Sequence, residues 1–423
     1  MQARLTDNNR GSDSRWPMKK KDRAFPRFND RQSILLARRS LKMARSAHAY
    51  VRGNTRKFYE WLAAADIEKI PRGPAVWICG DCHVGNLGPI ADAKGRIDIQ
   101  IRDLDQTVIG NPAHDLIRLG LSLSSAARGS DLPGVTTAKM LENMMAGYEQ
   151  AFEESRTADF QQDRPESIRI AMRRSLSRSW KHLAKDRIGD IDPTIPLGKR
   201  FWPLRKEEKR EIRKLFKQEN VRKLVTSLRT RDDQAQIRVL DAAYWMKGCS
   251  SLGLLRYAVV LGIGDPPYNG EGLCLMDIKE AAQAAAPRYP RVRMPRDNAE
   301  RVVEGARHLA PNLGQRMLAT RFLDRAVFLR ELLPQDLQIE IERLTRDEAM
   351  KAAWFLAAVV GQAHARQLDK PARQKWLDEL KRHRSAKLDA PSWLWSSIVE
   401  LLISHEGEYL EHCRRYALEP MPS

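Results

Sequence analysis

The sequence has few cysteines, few aromatic residues and no long apolar run. Its 423 residues contain five cysteines, and their odd number and scattered positions argue against a disulfide scaffold. In the apolar C-terminal part, the longest stretch without a charged residue or a histidine covers residues 352–363. A bilayer span needs roughly 20 residues, so no membrane span is expected. The polar N-terminus lacks the apolar core of a secretory signal, and we expect a cytoplasmic protein.

Acidic residues are also fewer than basic residues. The 73 Lys and Arg residues outnumber the 54 Asp and Glu residues, which gives a formal net charge of +19. Much of the excess lies in a basic arm at residues 1–45 and in a basic helical segment further along. Such a surplus suits nucleic acid, anionic lipid or a phosphorylated small molecule. Nucleic-acid binding is an alternative that we do not favour, because no known nucleic-acid fold is recognisable and aromatic residues make up only 7%.

Hydrophobic periodicity predicts both helices and strands. The alternation of apolar and polar residues over 96–106 indicates a strand, and spacing typical of helices follows over 115–127. An apolar helix is predicted over 347–368. Further short β-prone runs, separated by turn residues, are predicted over 237–246, 254–263, 272–278, 316–322 and 326–332.

The most informative stretch is GDCHVGN at residues 80–86. Phosphoryl transfer from a nucleotide needs a carboxylate that orients or deprotonates the attacking hydroxyl, together with oxygen ligands for Mg²⁺. In kinase catalytic loops the base Asp and a metal-binding Asn are five residues apart, as Asp81 and Asn86 are here. The alternating strand then leads directly into Asp103 and Asp105, where a further metal ligand is expected.

This loop, the strand after it and NPAHDL at residues 111–116 resemble the aminoglycoside-phosphotransferase branch of the kinase-like fold. Members of that branch have a loop HGDxHxxN, then an IDF- or IDW-type aspartate and then a D-P-x-x-D-L segment. Cys79 stands where the first histidine of that loop is found. The resemblance implies a base at Asp81, metal ligands at Asn86, Asp103 and also Asp105, and internal hydrogen-bonding supports at His83 and Asp115.

The nucleotide-binding elements of a kinase come after this loop in the sequence, not before it. A glycine-bearing turn over 247–253 lies between two β-prone runs, as a turn over phosphates would, and the next run ends at Lys279, in the position of the kinase phosphate-binding lysine. Glu304 is predicted to pair with Lys279, with Glu300 as the alternative. The residues of the turn that we expect at the nucleotide are Gly248, Ser250, Ser251 and Gly253.

This order of segments predicts an α+β, two-lobed, protein-kinase-like fold in circularly permuted order. A mostly helical large lobe and a small antiparallel β lobe are expected. The predicted division is a basic arm at 1–45, a helical lobe with the catalytic loop at 46–235, a β-rich nucleotide-binding lobe at 236–335, and C-terminal helices at 336–423 that complete the large lobe.

Five stretches carry a second resemblance, namely residues 42–54, 80–88, 102–123, 277–281 and 361–366. Through them the chain is similar, from about residue 30 to 410, to one bacterial family, domain of unknown function 2252. The similarity implies that Arg45, His48, Arg52 and His364 face the site. Arg52 is the best candidate for a substrate or phosphate contact, because guanidinium binds phosphate bidentately, with a structural ion pair as the alternative. For His364 the alternative is a core histidine.

These features predict an ATP- and Mg²⁺-dependent phosphotransferase whose partners are a nucleotide and a small hydroxylated acceptor. A kinase-like pseudoenzyme and a nucleotidyltransferase are the alternatives within the same fold. We expect the site itself to be acidic, with the excess positive charge around it.

Overall fold

A computed structural model gives the structure of the protein, which is of mixed α/β type with antiparallel sheets. The side chains of His48 and Glu271 are not described. The residues that the structure describes are 25–65, 70–153, 164–188, 193–228, 230–249, 251–268, 270–337, 339, 345–382, 384 and 389–417.

The helices of the described residues follow the predicted helical regions. They are α1 (Arg31–Met43), α2 (Ala47–Gly53), α3 (Thr55–Ala64), α4 (Pro112–Gly129), α5 (Gly134–Gln150), α6 (Glu166–Leu176), α7 (Trp180–Arg187), α8 (Lys206–Leu215), α9 (Glu219–Thr226), α10 (Asn298–Leu309), α11 (Pro311–Gly314), α12 (Arg346–Ala365), α13 (Lys370–Arg382) and α14 (Ser392–Tyr416). None of them combines the length and apolar character of a bilayer span.

The strands form one large sheet and two small ones. The large sheet has the order β5-β6-β7-β8-β10-β9, while β1 pairs with β4 and β2 with β3, and every pairing is antiparallel. The strands are β1 (Val76–Ile78), β2 (Leu87–Ala91), β3 (Ile97–Ile101), β4 (Val108–Gly110), β5 (Phe201–Trp202), β6 (Ile237–Trp245), β7 (Arg256–Ile263), β8 (Leu273–Glu280), β9 (Met317–Phe322) and β10 (Arg325–Glu331).

Both faces of the six-stranded sheet are covered, and one face ends in charged residues. On one face alternate residues such as Tyr257 and Met276 pack with α1, α8 and α9. On the other face Val260 and Leu275 pack with α7. Since successive strand residues alternate between faces, the row that contains Leu275 continues into buried Asp277 and Lys279. The apolar pattern therefore gives way to charge at one end of this face.

The residues at 31–43, which we predicted to belong to a basic arm, form α1 and pack on the rest of the protein. Leu35 of α1 is buried in the same apolar cluster as Tyr257. The buried Arg31 pairs with the buried Glu208 of α8 at 2.9 Å. Lys42 donates a hydrogen bond to the carbonyl of Gly248, 2.7 Å away, so α1 also contacts the turn between β6 and β7.

The close contact between α5 and α12 yields a test of the packing. A Cβ atom at Gly147 in α5 would lie 2.1 Å from the carbonyl oxygen of Trp354 in α12. Overpacking of this kind costs about 1–3 kcal/mol. We therefore expect Gly147→Ala to lower the free energy of unfolding by that amount in urea denaturation.

The matched control is Gly407→Ala in α14, where a Cβ atom would meet nothing within 4 Å. Because alanine favours a helix interior over glycine by up to about 1 kcal/mol, this variant should be as stable as the wild type or more so. Equal stability of Gly147→Ala and the wild type would contradict the observed helix contact.

Candidate functional site

The loop at residues 80–86 connects β1 to β2, and its entry requires a glycine. Gly80 has φ of +72°, and a Cβ atom there would lie 2.2 Å from the carbonyl oxygen of Gln106. Tyr59 donates a hydrogen bond to the Gly80 carbonyl at 2.7 Å. The loop then turns through a short 3-10 helix, Val84–Asn86. These contacts hold the backbone on both sides of Asp81.

Asp115 fixes the start of this loop from beneath. Its carboxylate accepts hydrogen bonds from the backbone N–H groups of Cys79 at 2.7 Å and Gly80 at 2.9 Å. The Nε2 atom of His364 lies 3.2 Å from the same carboxylate, and Tyr148 contacts the other ring nitrogen at 3.0 Å. Trp376 donates to the Tyr148 oxygen at 3.2 Å. Because the Asp115 carboxylate accepts, the Nε2 atom of His364 is the donor in that contact.

The other predicted support, His83, is not engaged in this way. It is buried, with 9% of its surface exposed, and its Nδ1 has no hydrogen-bond partner among the described residues. Burial, Arg52 and Arg118 lower the pKa of His83 to about 4, against the opposing effect of the Asp81 carboxylate. His83 is therefore neutral at physiological pH and lines the cavity described below.

Asn86 connects the loop to the predicted metal-binding turn. Its amide nitrogen donates to the Asp103 carbonyl at 2.7 Å, and its amide oxygen accepts from the Asp103 N–H at 2.6 Å. The β2–β3 hairpin explains this contact, because Leu87 pairs with Ile101 and brings the flanking residues together. Asn86 thus holds the backbone of Asp103.

Lys279 meets the carboxylates that follow β3. Its Nζ lies 3.4 Å from Asp103 and in closer contact with Asp105, and its own side chain is 2% exposed. Desolvation acts to raise the pKa of Asp103, but Lys279, Arg330 and Arg256 outweigh it and keep that pKa well below its usual range. Burial and the adjacent Asp103 carboxylate raise the pKa of Asp105.

Arg118 and Arg330 are among the arginines that sequence reasoning missed and that hold carboxylates at the site. The buried Arg118 donates from Nε to Asp81 at 3.0 Å. It lies three residues after Asp115 on α4, a spacing that puts both on one helix face and could have revealed it. Arg330 contacts Asp277 at 3.1 Å, because it pairs with Asp277 in the register of β8 and β10. In the sequence, Asp277 stands within a predicted apolar strand. A carboxylate in such a strand needs a cationic partner, and this pattern could have indicated Arg330.

Most of the predicted residues face one cavity of about 410 Å³. The loop supplies Asp81, His83 and Asn86, the turn after β3 supplies Asp103 and Asp105, and α2 supplies Arg52. Lys279 lies behind the two carboxylates of that turn, in contact with both. The buried Asp115 and His364 lie beneath the loop, while Arg45 is exposed and does not line the cavity.

The turn between β6 and β7 forms another wall of the cavity. Gly248 and Ser251 line it, and Gly248 has φ of +92° while Gly253 has φ of +101°. The hydroxyl of Ser251 donates to the carbonyl of Lys247 at 3.1 Å. Ser250 lies outside the described residues.

Two expectations about the site need correction. The cavity is not acidic, because seven of its lining side chains are Lys or Arg and three are Asp. Except for Arg102, which directly precedes Asp103, these cations come from segments outside the motif, so the motif alone did not reveal them. The predicted Lys279–Glu304 pair does not form: Glu304 pairs with Arg307 at 3.2 Å, and Glu300 is exposed in the first turn of α10.

The chain is thus a mixed α/β protein with a cavity that combines carboxylates and cations from distant segments. A family model described as "Uncharacterized protein conserved in bacteria (DUF2252)" matches residues 31–415. The chain belongs to this family, as the sequence similarity predicted. Neither the curated proteins nor the solved structures contain a match.

The role of Asp115 in holding the loop can be tested by Asp115→Asn. The NH₂ group of the asparagine would face one of the backbone N–H groups that the carboxylate now accepts from. Two donors cannot pair, and a buried donor left unpaired costs about 1–3 kcal/mol. We expect the free energy of unfolding in urea to fall by that amount. Asp131→Asn is the control, since Asp131 is exposed and the same substitution there should leave the stability unchanged. Equal stability of the two variants would contradict the assigned role.

Proposed function

We propose that the protein is an ATP- and Mg²⁺-dependent phosphotransferase that acts on a hydroxyl of a small-molecule acceptor. The observation that carries the proposal is the contact of Lys279, from the large sheet, with Asp103 at 3.4 Å, beside a cavity that Asp81 also lines. Phosphoryl transfer from a nucleotide uses a cation at the phosphates, a carboxylate for the metal and a carboxylate for the acceptor hydroxyl.

The proposal includes a two-lobed, protein-kinase-like fold in circularly permuted order. The small lobe is residues 236–335, and residues 46–235 and 336–423 make up the large lobe. Support comes from the antiparallel sheet that contains β6–β10 and from α10, which lies between β8 and β9 in the sequence. The catalytic loop precedes this sheet, and α12 follows it, which is the reverse of the usual order.

The nucleotide phosphates are proposed to bind below the turn between β6 and β7. Backbone at Gly248 approaches the cavity without a side chain, and Ser251 lines the same wall. Lys247 and Arg187 add positive charge there. Burial and the neighbouring Arg256 and Arg187 cations lower the pKa of Lys247 well below its usual value, so a phosphate anion would relieve the repulsion among these groups.

The residues after β3 fit a Mg²⁺ ion. The Asp103 carboxylate is half-exposed in the cavity, and the Oδ1 atom of Asp105 is buried with no hydrogen-bond partner among the described residues. No cluster of three His, Cys, Asp or Glu ligands occurs in the described part of the chain. This suits Mg²⁺, which commonly binds one or two carboxylates together with substrate phosphates. Asn86, with both amide atoms bonded to Asp103, serves to orient that ligand.

In the proposed reaction Asp81 accepts the proton of the acceptor hydroxyl. As that proton moves, the acceptor oxygen forms a bond to the γ-phosphorus, and the bond from this phosphorus to the β–γ bridging oxygen breaks to release ADP. Arg118 keeps the Asp81 carboxylate oriented. Bound Mg²⁺ supplies neutralisation of the phosphate charge.

Nucleotide binding tests this proposal directly. Isothermal titration calorimetry with a non-hydrolysable ATP analogue should show Mg²⁺-dependent binding to the wild type. Asp103→Asn should weaken that binding roughly tenfold or more, because it removes a charged metal ligand. Asp98→Asn is the matched control, since Asp98 is exposed on β3 and accepts a hydrogen bond from the N–H of Ile99.

Asp81→Asn should leave nucleotide binding intact and slow transfer by about 10²–10⁴-fold, because the variant lacks the base. The absence of Mg²⁺-dependent binding by the wild type would overturn the proposal. Binding without transfer to any acceptor would favour a pseudoenzyme, and an acceptor that gains a nucleotidyl group would favour nucleotidyl transfer.

A further inference from the structure

We infer that the acceptor carries an anionic group, phosphate or carboxylate, in addition to its hydroxyl, and that Arg52 binds this group beside Asp81. This inference rests on the proposed function and names the class of acceptor.

Arg52 is a half-buried cation that has no carboxylate partner among the residues that the structure describes. It lies near the end of α2 and lines the same cavity as Asp81. No carboxylate of the described residues lies within 4 Å of its guanidinium, so the structural ion pair considered from the sequence is absent there. A guanidinium left in a cavity without a partner is suited to a planar or tetrahedral oxyanion.

The position of Arg52 relative to Asp81 is fixed by one shared residue. Arg118 donates from Nε to Asp81 at 3.0 Å and from a terminal nitrogen to the carbonyl of Val51 at 2.6 Å. Gly53, on the other side of Arg52, packs so closely that a Cβ atom there would lie 2.7 Å from Met43 and 2.9 Å from Cys249. Both neighbours of Arg52 are thus held, and its backbone cannot shift freely from the proposed base.

His83 also lines the cavity, two residues after Asp81 in the loop. More than nine-tenths of its surface is buried, and its ring is uncharged at physiological pH because its pKa is lowered to about 4. It therefore adds no positive charge to the cavity that Arg52 and Asp81 line.

The balance of charge indicates which acceptors fit. Asp81 is paired with Arg118, and Asp103 and Asp105 share Lys279, so these carboxylates are already compensated. Five lining cations have no carboxylate within 4 Å among the described residues. They are Lys42, Arg52, Arg102, Arg187 and Lys247. In the proposed complex the nucleotide phosphates pair with the cations near the large sheet. Arg52 is then left without an anionic partner in the cavity that Asp81 also lines. A polycationic acceptor such as an aminoglycoside would be repelled.

The test uses pairs of hydroxylated probes that differ in charge. The pairs are glycerol and glycerol 3-phosphate, glucose and glucose 6-phosphate, and galactose and galacturonate, with kanamycin as a cationic probe. Binding is measured by calorimetry with and without the Mg²⁺-bound ATP analogue, and transfer by ADP release in Mg²⁺-ATP. We expect at least one anionic probe to bind and to stimulate ADP release well above its neutral partner, and kanamycin to do neither.

The variants Arg52→Met and Arg52→Lys separate anion binding from general structure. Arg52→Met should lower the affinity for the anionic probe roughly ten- to hundredfold, which is the range expected for a lost hydrogen bond to a charged group. The affinity for the nucleotide should be unchanged. Arg52→Lys should recover part of the loss because it keeps the charge. Arg56→Met, at an exposed position in α3, is the matched control and should bind like the wild type.

The inference is overturned if no anionic probe binds, or if neutral or cationic probes stimulate ADP release as strongly as the anionic ones. It is also overturned if Arg52→Met lowers the affinity for the nucleotide but not the affinity for the anionic probe. These outcomes leave the phosphotransferase proposal standing when Mg²⁺-nucleotide binding is seen. Conversely, Arg52-dependent binding of an anionic probe without any nucleotide binding would remove the proposed function and retain the anion site.

Discussion

The contact of one buried lysine with two carboxylates is the interaction on which the account of this protein depends. Lys279 follows Leu275 and Asp277 on one face of β8, and its side chain is almost completely buried. Such a charge is tolerated only when it is paired. Its partners, Asp103 and Asp105, come from a hairpin more than 170 residues earlier in the chain. The pair therefore fixes the large sheet against the loop that contains Asp81.

Several supports converge on this pair from the side of the loop. Asn86 holds Asp103 through both of its backbone groups, while Asp115 holds the backbone just before Asp81. Each contact satisfies buried polar groups that would otherwise be costly. The loop is thus rigid for reasons that concern stability as much as chemistry. The same rigidity gives Asp81 a fixed position relative to the cations across the cavity.

Local patterns in the sequence were enough to predict most strands and helices, because alternation and helical spacing reflect burial directly. They also led to Asp81, Asn86, Asp103 and Lys279, whose meeting depends on segment order and hairpin register. The basic lining could not be predicted, since residues such as Arg187 reach the cavity from helices with no motif of their own. The Glu304 pairing was wrong for a related reason, because two nearer carboxylates already compensate the lysine.

The central claim is that a Mg²⁺-bound nucleotide binds in the cavity that Asp81 and Asp103 line. The most direct test is a crystal structure with a non-hydrolysable ATP analogue and Mn²⁺, whose anomalous signal locates the metal. The account predicts the metal at the Asp103 carboxylate, the terminal phosphate between that metal and Asp81, and Lys279 in contact with a phosphate oxygen. A nucleotide bound elsewhere, or a metal that does not contact Asp103 or Asp105, would contradict the account.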